Sequence, residues 1–374
     1  MRKSFLGYYR PTEDEFRSLW RECIFILDTN VLLNLYRYSP ATSQSLLKTL
    51  SAVSDRLWLP HQVALEFQEN RQAVISDQAD TYDRVSKILT DAHDDLVALL
   101  SRGHLSIQSS NIVDRIAVAF QGIREELSHS RQRHPDLAKC DSIGDQIANL
   151  FEGKVGRPYP QDRIDIISKE GEIRYQSKIP PGYKDVKNGV KRYGTLVLPD
   201  RYGDFIIWLQ IMDKAKEAQK PIVFITDERK EDWWWQARGK TLGPRPELVT
   251  EIMLATGMRY YMYTPNQFME LATESLSIEI SQSIIDEIEN TSNDLKWHEE
   301  VESALKTLGG RAHLSAIYDH IEGSTARRLP PTWRSIVRKV LQQYASNCDA
   351  FLQKEDLFVR CGEGYWELKG NSDR

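Results

Sequence analysis

Short apolar runs alternate with helix-like spacings along the first part of the chain. Residues 23–27 (Cys-Ile-Phe-Ile-Leu) have no polar interruption, which predicts a strand buried on both faces of a parallel sheet. Helical spacing follows over 30–38 and 43–53, a second short strand is predicted over 57–59, and Pro60 opens a helix over 61–71. The same alternation returns later, with an apolar helix over 205–212 after Gly203, a strand over 222–226 after Pro221, and a last strand over 258–263. Strands alternating with helices imply an α/β fold, with helices on both faces of a parallel sheet.

Between these blocks the pattern weakens. Residues 71–150 are polar with helical apolar spacing (Val85, Leu89, Leu96, Leu100, then Ile112, Ile116, Phe120, Ile123, Leu127), which predicts a helical insertion or hairpin. Residues 153–194 interleave Lys154, Arg157, Arg163, Lys169, Arg174, Lys178, Lys184, Lys187, Lys191 and Arg192 with Tyr159, Tyr175, Tyr183 and Tyr193. Cations among stackable rings suit a phosphate backbone with bases, and a solvated loop region with packed tyrosines fits equally well. An acidic helical connector over 273–295 precedes three helices over 297–308, 314–321 and 332–344, and then a small hairpin over 357–368.

Composition narrows the class. With 374 residues, 41% hydrophobic and 28% charged, the chain can bury a sizeable core and has room for two domains. No apolar run reaches transmembrane length and the first residues lack a signal-peptide core, so a cytoplasmic protein is expected. Cys23, Cys140, Cys348 and Cys361 are widely spaced and read as reduced thiols. The net charge of −5 gives no bulk attraction to nucleic acid, so binding would rest on local patches or on a metal.

Four acids stand at the edges of the apolar segments: Asp28 in Ile-Leu-Asp-Thr-Asn, Glu66 in Val-Ala-Leu-Glu-Phe, Asp204 in Tyr-Gly-Asp-Phe-Ile-Ile-Trp, and Asp227 in Val-Phe-Ile-Thr-Asp-Glu. Carboxylates beside a core are costly to desolvate and repel one another unless a cation lies between them, so their convergence would make a divalent-metal site. Each has a structural alternative. Asp28 and Asp204 could cap helices, Glu66 could pair with Arg71, and Glu228 could face inward in place of Asp227. Asn30, Asp185, Asp232 and Arg245 are secondary candidates, the first to orient Asp28 or a phosphate and the last as a phosphate clamp or an ion-pair partner. The run Trp233 to Trp235, placed on a helix, would point in three directions, with at least one ring in the core.

These segments in this order resemble the PIN domain. More closely, Pro-Pro-Gly-Tyr-Lys-Asp at 180–185, Tyr-Gly-Asp at 202–204, Thr-Asp-Glu at 226–228, Asp-Trp-Trp at 232–234 and Gly-Pro-Arg-Pro-Glu-Leu at 243–248 are similar to a bacterial PIN-like family with a long insertion. The resemblance covers 22–272, after an N-terminal extension of 1–21, with the insertion at about 71–195. It implies a Rossmann-like three-layer domain whose acids Asp28, Glu66, Asp204 and Asp227 hold Mg²⁺ or Mn²⁺ and cleave RNA or DNA. Hard cations of this kind take oxygen ligands and keep several waters, so two or three carboxylates suffice.

Residues 296–370 resemble the winged helix-turn-helix modules of bacterial restriction and defence proteins. That resemblance implies nucleic-acid contact by Arg327, Arg328, Thr332, Arg334, Ser335, Arg338 and Lys339, or else a regulatory protein partner or self-association, in an anti-phage or toxin-like effector. Two rival readings are a catalytically silent PIN-like platform that binds nucleic acid or protein, and a metal-dependent hydrolase of small phosphate compounds. No Walker loop is present in the sequence.

Overall fold

The computed structural model describes residues 1–2, 5–101, 109–133, 137, 139–184, 189–237, 240–294, 297–324, 329, 332–352 and 356–369. Its centre is a four-stranded, all-parallel sheet. After α1 (Glu13–Glu22), whose first turn is held by the Thr12–Glu15 capping box, come β1 (Ile24–Leu27), α2 (Thr29–Asn34), α3 (Pro40–Ala52) and β2 (Leu57–Trp58). Every residue of β1 is buried, as its uninterrupted apolar run requires. α3 starts earlier than the spacing over 43–53 indicates: Ser39 accepts from the Thr42 N–H at 3.3 Å at its start, and Pro40 occupies its first turn.

The helix predicted over 61–71 does not stop there. It continues as α4 (His61–Ser101) and pairs with α5 (Ser109–Arg133), so the insertion begins as a long helical hairpin growing out of the core. α6 (Ser142–Phe151) returns the chain to the core, and Leu59 and Val155 form a parallel bridge at the sheet edge. An ion-pair network fixes this return: Asp141 caps α6, accepts from the Tyr36 hydroxyl at 3.0 Å, and pairs with Arg71 at 3.3 Å. Arg71 is therefore engaged with Asp141, where a partnership with Glu66 was the sequence alternative. Tyr36→Phe is expected to lower stability by about 1 kcal/mol in urea titrations, because the half-buried Asp141 carboxylate loses one donor.

The basic stretch folds into α7 (Gln161–Gln176) and an antiparallel hairpin of β3 (Val190–Tyr193) and β4 (Leu196–Pro199), the second of which sequence spacing does not reveal. Next come α8 (Gly203–Ala218) and β5 (Ile222–Ile225), again buried at every position. Trp233 ends a turn, and Trp234 and Trp235 open β6 (Trp234–Ala237), which pairs with β7 (Lys240–Pro244), so the run is turn and strand and not helix. Trp233 and Trp234 are buried, whereas Trp235 is half-buried against Tyr8. α9 (Pro246–Thr256), β8 (Tyr260–Tyr263), α10 (Pro265–Leu276) and α11 (Gln282–Asp294) complete this unit. The stretch read as a connector is docked: Ile285 and Ile288 of α11 are buried, and Glu287 accepts from the Ser39 and Thr42 hydroxyls at 2.8 and 2.6 Å.

The strand order is β2-β1-β5-β8. Leu27 of β1 is in register with Ile225 of β5, so the residues that follow them, Asp28 and Thr226, emerge side by side at the carboxyl edge. β1 is flanked by an element that follows it closely and by one that follows two hundred residues later, which makes this junction a topological switch point, where open α/β sheets bind ligands.

A second hydrophobic core belongs to the C-terminal elements α12 (Trp297–Thr307), β9 (Arg311–His313), α13 (Leu314–Ser324), α14 (Trp333–Gln343), β10 (Phe358–Arg360) and β11 (Tyr365–Leu368). The strands form an antiparallel sheet in the order β10-β11-β9. No helix among the described residues is long and apolar enough to cross a membrane.

Candidate active site

Asp28 follows β1 and stands as the N-cap of α2 in extended conformation, its carboxylate accepting from the Thr29 N–H at 2.7 Å. Capping is thus one of its roles, and its second oxygen serves another. Oδ2 accepts from the Thr226 hydroxyl at 2.6 Å and from the Asn30 amide at 2.9 Å. Thr226 is the last residue before the β5 loop and also accepts from the Glu228 N–H at 2.9 Å, so it ties the ends of the two central strands together. Burial raises the Asp28 carboxyl to about 6, against the pull of its Thr226 hydrogen bond, and the nearby Glu66 and Glu228 carboxylates push it the same way.

Glu66 reaches this point from the second turn of α4. Its Oε2 accepts from the Thr29 hydroxyl at 3.1 Å, and its Oε1 from the Gln62 amide at 2.9 Å and the Lys191 ammonium at 3.1 Å. A Cβ at Gly203 would lie 3.0 Å from Glu66 Oε1, so the glycine lets the start of α8 close on this carboxylate. Asp204 is the next residue. It does not cap α8 from outside but sits in the first turn, and its Oδ2 accepts from the Trp233 indole at 2.9 Å. The tryptophan ring packs on Phe224 of β5 with centroids 5.2 Å apart, which fixes the indole that holds Asp204.

The two acids after Thr226 part company. Asp227 is buried and points to α2, accepting from the Asn34 amide at 3.0 Å, while its other oxygen has no hydrogen-bond partner among the described residues. Its N–H donates to Asn30 Oδ1 at 3.0 Å, so the Asp227 backbone orients the side chain that holds Asp28. Glu228 lies on the Asp28 side, with Oε1 receiving the Arg229 and Lys230 N–H groups at 2.7 and 3.1 Å and Oε2 3.3 Å from the Lys230 ammonium.

Secondary candidates serve the scaffold. Asp232 is fully buried and accepts from the Gly182 and Lys184 N–H groups at 3.0 and 3.1 Å, anchoring the Pro-Pro-Gly-Tyr turn beside Asp204. Arg245 directs its guanidinium to both oxygens of Glu247, at 3.1 and 2.7 Å. Asp185, Arg327 and Arg328 lie outside the described residues. Many cations of the basic stretch are also internally paired: Arg174 is bidentate to Glu251 at 2.6 and 2.9 Å, Lys184 meets Glu231 at 2.7 Å, and Lys191 meets Glu66. Thr226, Gln62, Trp233 and Lys191 are the site contacts that sequence spacing does not single out.

Asp28 and Glu66, 38 positions apart in the chain, thus share Thr29 as a common partner, with Glu228 as a further electrostatic neighbour of Asp28. Among the described residues no group of three or more His, Cys, Asp or Glu side chains stands close enough to enclose a metal ion. The donors are all hard oxygens, and a raised carboxyl crowded by two other acids is the electrostatic signature that a bound cation relieves. A small divalent ion that keeps most of its waters fits such a set; a thiophilic or fully protein-enclosed metal does not.

A family model described as a PIN-like domain matches residues 24–248, a span containing the whole of this carboxylate constellation. No curated protein and no solved structure matched the chain.

Proposed function

This chain belongs to the PIN-like domain family, whose members are commonly nucleases that use divalent metals, and from that premise we propose that it is a metal-dependent nuclease acting on the phosphodiester backbone of RNA or DNA. The observation that carries this reading is the convergence of Asp28 and Glu66 on Thr29 at the switch point, with the Asp28 carboxyl displaced to about 6. Asp28 and Glu66 would hold Mg²⁺ or Mn²⁺ directly, with Glu228 and Asp204 accepting hydrogen bonds from its waters. When bound, such an ion supplies Lewis acidity and offsets charge on the phosphate. The protein's own contribution is positioning. Thr226 and Asn30 fix one oxygen of Asp28, Thr29 and Gln62 fix Glu66, and Trp233 fixes Asp204.

The test is cleavage of labelled single- and double-stranded RNA and DNA with Mn²⁺, Mg²⁺ or EDTA. Metal-dependent cutting of one polymer supports the proposal and names the substrate. Metal binding without turnover of any polymer would favour the silent-platform reading, and hydrolysis confined to mononucleotides would favour the small-molecule one.

We also propose that the C-terminal unit is a winged helix-turn-helix that delivers this nuclease to nucleic acid, in keeping with a defence effector. Its helix and strand order supports the reading, as does the outward placement of Thr332, Arg334, Ser335, Arg338 and Lys339 along α14. Arg334 pairs with Glu322 at 3.0 Å and stacks on Trp333, so that among the described residues of α14 Arg338 and Lys339 are the cations to test as phosphate contacts. Replacing both by alanine is expected to reduce the slope of log affinity against log salt by about 2, since each phosphate contact releases roughly one counterion. An unchanged slope in a binding titration would assign the unit to a protein partner.

A further inference from the structure

Lys191 is the one cation of the β3–β4 hairpin that reaches the carboxylate site among the described residues. Its ammonium lies 3.1 Å from Glu66 Oε1, 3.9 Å from Glu69 Oε2 and 4.0 Å from Asp200 Oδ1, with its side chain largely covered. Three acids around a single ammonium leave the pocket negative. The hairpin that carries it is lightly held: β3 has no fully buried residue, Val190 and Tyr193 are about half exposed, and Leu198 is the buried anchor of β4. Towards α4 it adds the Tyr193 ring set edge-on to His61, with centroids 4.7 Å apart, and Gln161 of α7 holds the Val197 backbone of β4 by hydrogen bonds of 2.8 and 3.2 Å, so that β4 is anchored and β3 is the looser strand. A segment with so little buried apolar surface opens at low cost compared with the core.

We infer that Lys191 is an ammonium latch: it occupies Glu66 as a built-in counter-ion and must be displaced for a divalent cation to bind there, so that metal binding and release of the β3–β4 hairpin are coupled. The inference rests on the proposed nuclease site and adds its regulation. A monovalent ammonium satisfies Glu66 when the metal is absent, and it opposes a second positive charge at the same oxygen. Coupling is reciprocal, so what weakens the latch tightens metal binding, and saturating metal loosens the hairpin.

The experiment titrates Mn²⁺ into the full chain and follows free ion by electron paramagnetic resonance, comparing wild type, Lys191→Met and Asp28→Asn, with circular dichroism melts confirming that each variant is folded. Lys191→Met is expected to bind Mn²⁺ roughly tenfold tighter, the order of effect of removing one like charge at contact distance near a protein surface. Asp28→Asn is expected to lose the site. In parallel, amide hydrogen exchange over 190–199 of the wild type is expected to quicken when Mn²⁺ saturates. Where wild type binds Mn²⁺, equal or weaker binding by Lys191→Met, or unchanged exchange in the wild-type hairpin at saturation, overturns the latch and leaves the nuclease site intact. Tighter binding by Lys191→Met that survives Asp28→Asn places the ion elsewhere and also overturns it. Binding by Lys191→Met alone, with wild type silent, supports the latch in its strongest form. No binding by either chain overturns the latch and the metal site together.

Discussion

Asp28→Asn is expected to reduce metal-dependent cleavage by about 10³-fold, equivalent to about 4 kcal/mol of transition-state stabilisation, while leaving the fold in place. The asparagine keeps an oxygen for the Thr29 N–H, so the cap of α2 survives. What it loses is the second oxygen, which accepts from Thr226 and Asn30, and the charge that the neighbouring Glu66 and Glu228 carboxylates make costly and that a divalent ion would compensate. Single-turnover cleavage at saturating Mn²⁺ measures the loss. Activity within tenfold of wild type would remove Asp28 from the chemistry and with it the proposed metal centre. The pH dependence has a definite sign. Because the folded carboxyl is raised from 3.8 to about 6, it is ionised only above that value, so Mn²⁺ affinity should fall as pH drops through about 6. Metal-free stability runs the other way: the cost of ionising Asp28 is absent below about 3.8 and complete above about 6.

The central strands were readable because burial on both faces leaves no room for a polar residue. Ile-Phe-Ile-Leu and Ile-Val-Phe-Ile carry that constraint in composition alone, and every one of those side chains is buried. The edges were harder. Val-Lys-Arg-Tyr of β3 and, apart from the buried Trp234, Trp-Trp-Gln-Ala of β6 lie at or near the surface, are paired only within two-stranded hairpins, and show neither a continuous run nor clean alternation. Likewise nothing in Gln-Glu-Asn-Arg-Gln at 68–72 signals that α4 runs on to Ser101, about eight more turns, since its outer part packs chiefly on another helix of the same hairpin.

Order along the chain singled out Asp28 and Glu66 as acids worth joining, and the fold explains the join through register: Leu27 beside Ile225 on one side, and Thr29 hydrogen-bonded to Glu66 on the other. Spacing could not reveal Thr226 or Lys191. A threonine ending a β strand and a lysine in a basic stretch are unremarkable in sequence; each gains meaning only when a crossover sets it within hydrogen-bond reach of a carboxylate.

Glu228→Gln and Asp227→Ala are expected to fail in different ways, and the contrast decides which acid completes the site. Both follow Thr226, but Glu228 is an electrostatic neighbour of Asp28, whereas Asp227 turns into the core beneath α2. Glu228→Gln should leave thermal stability nearly unchanged and lower cleavage by about 10²-fold, the scale on which groups supporting a metal site act. Asp227→Ala should lower stability by about 3 kcal/mol, because it strips the buried Asn34 amide of its acceptor, leaves that amide unsatisfied in the core, and removes a charge that, with Asp77, faces the half-buried Arg37 guanidinium. Its backbone N–H still holds Asn30, so a folded fraction of Asp227→Ala should retain cleavage per folded molecule within about tenfold of wild type, less than the loss from a direct partner. Cleavage normalised to the folded fraction, set beside urea denaturation of the same samples, separates the two. The reverse pattern, with Asp227→Ala stable but inactive and Glu228→Gln active, would return the fourth position to Asp227 and require its side chain to swing from Asn34 toward Asp28 during turnover.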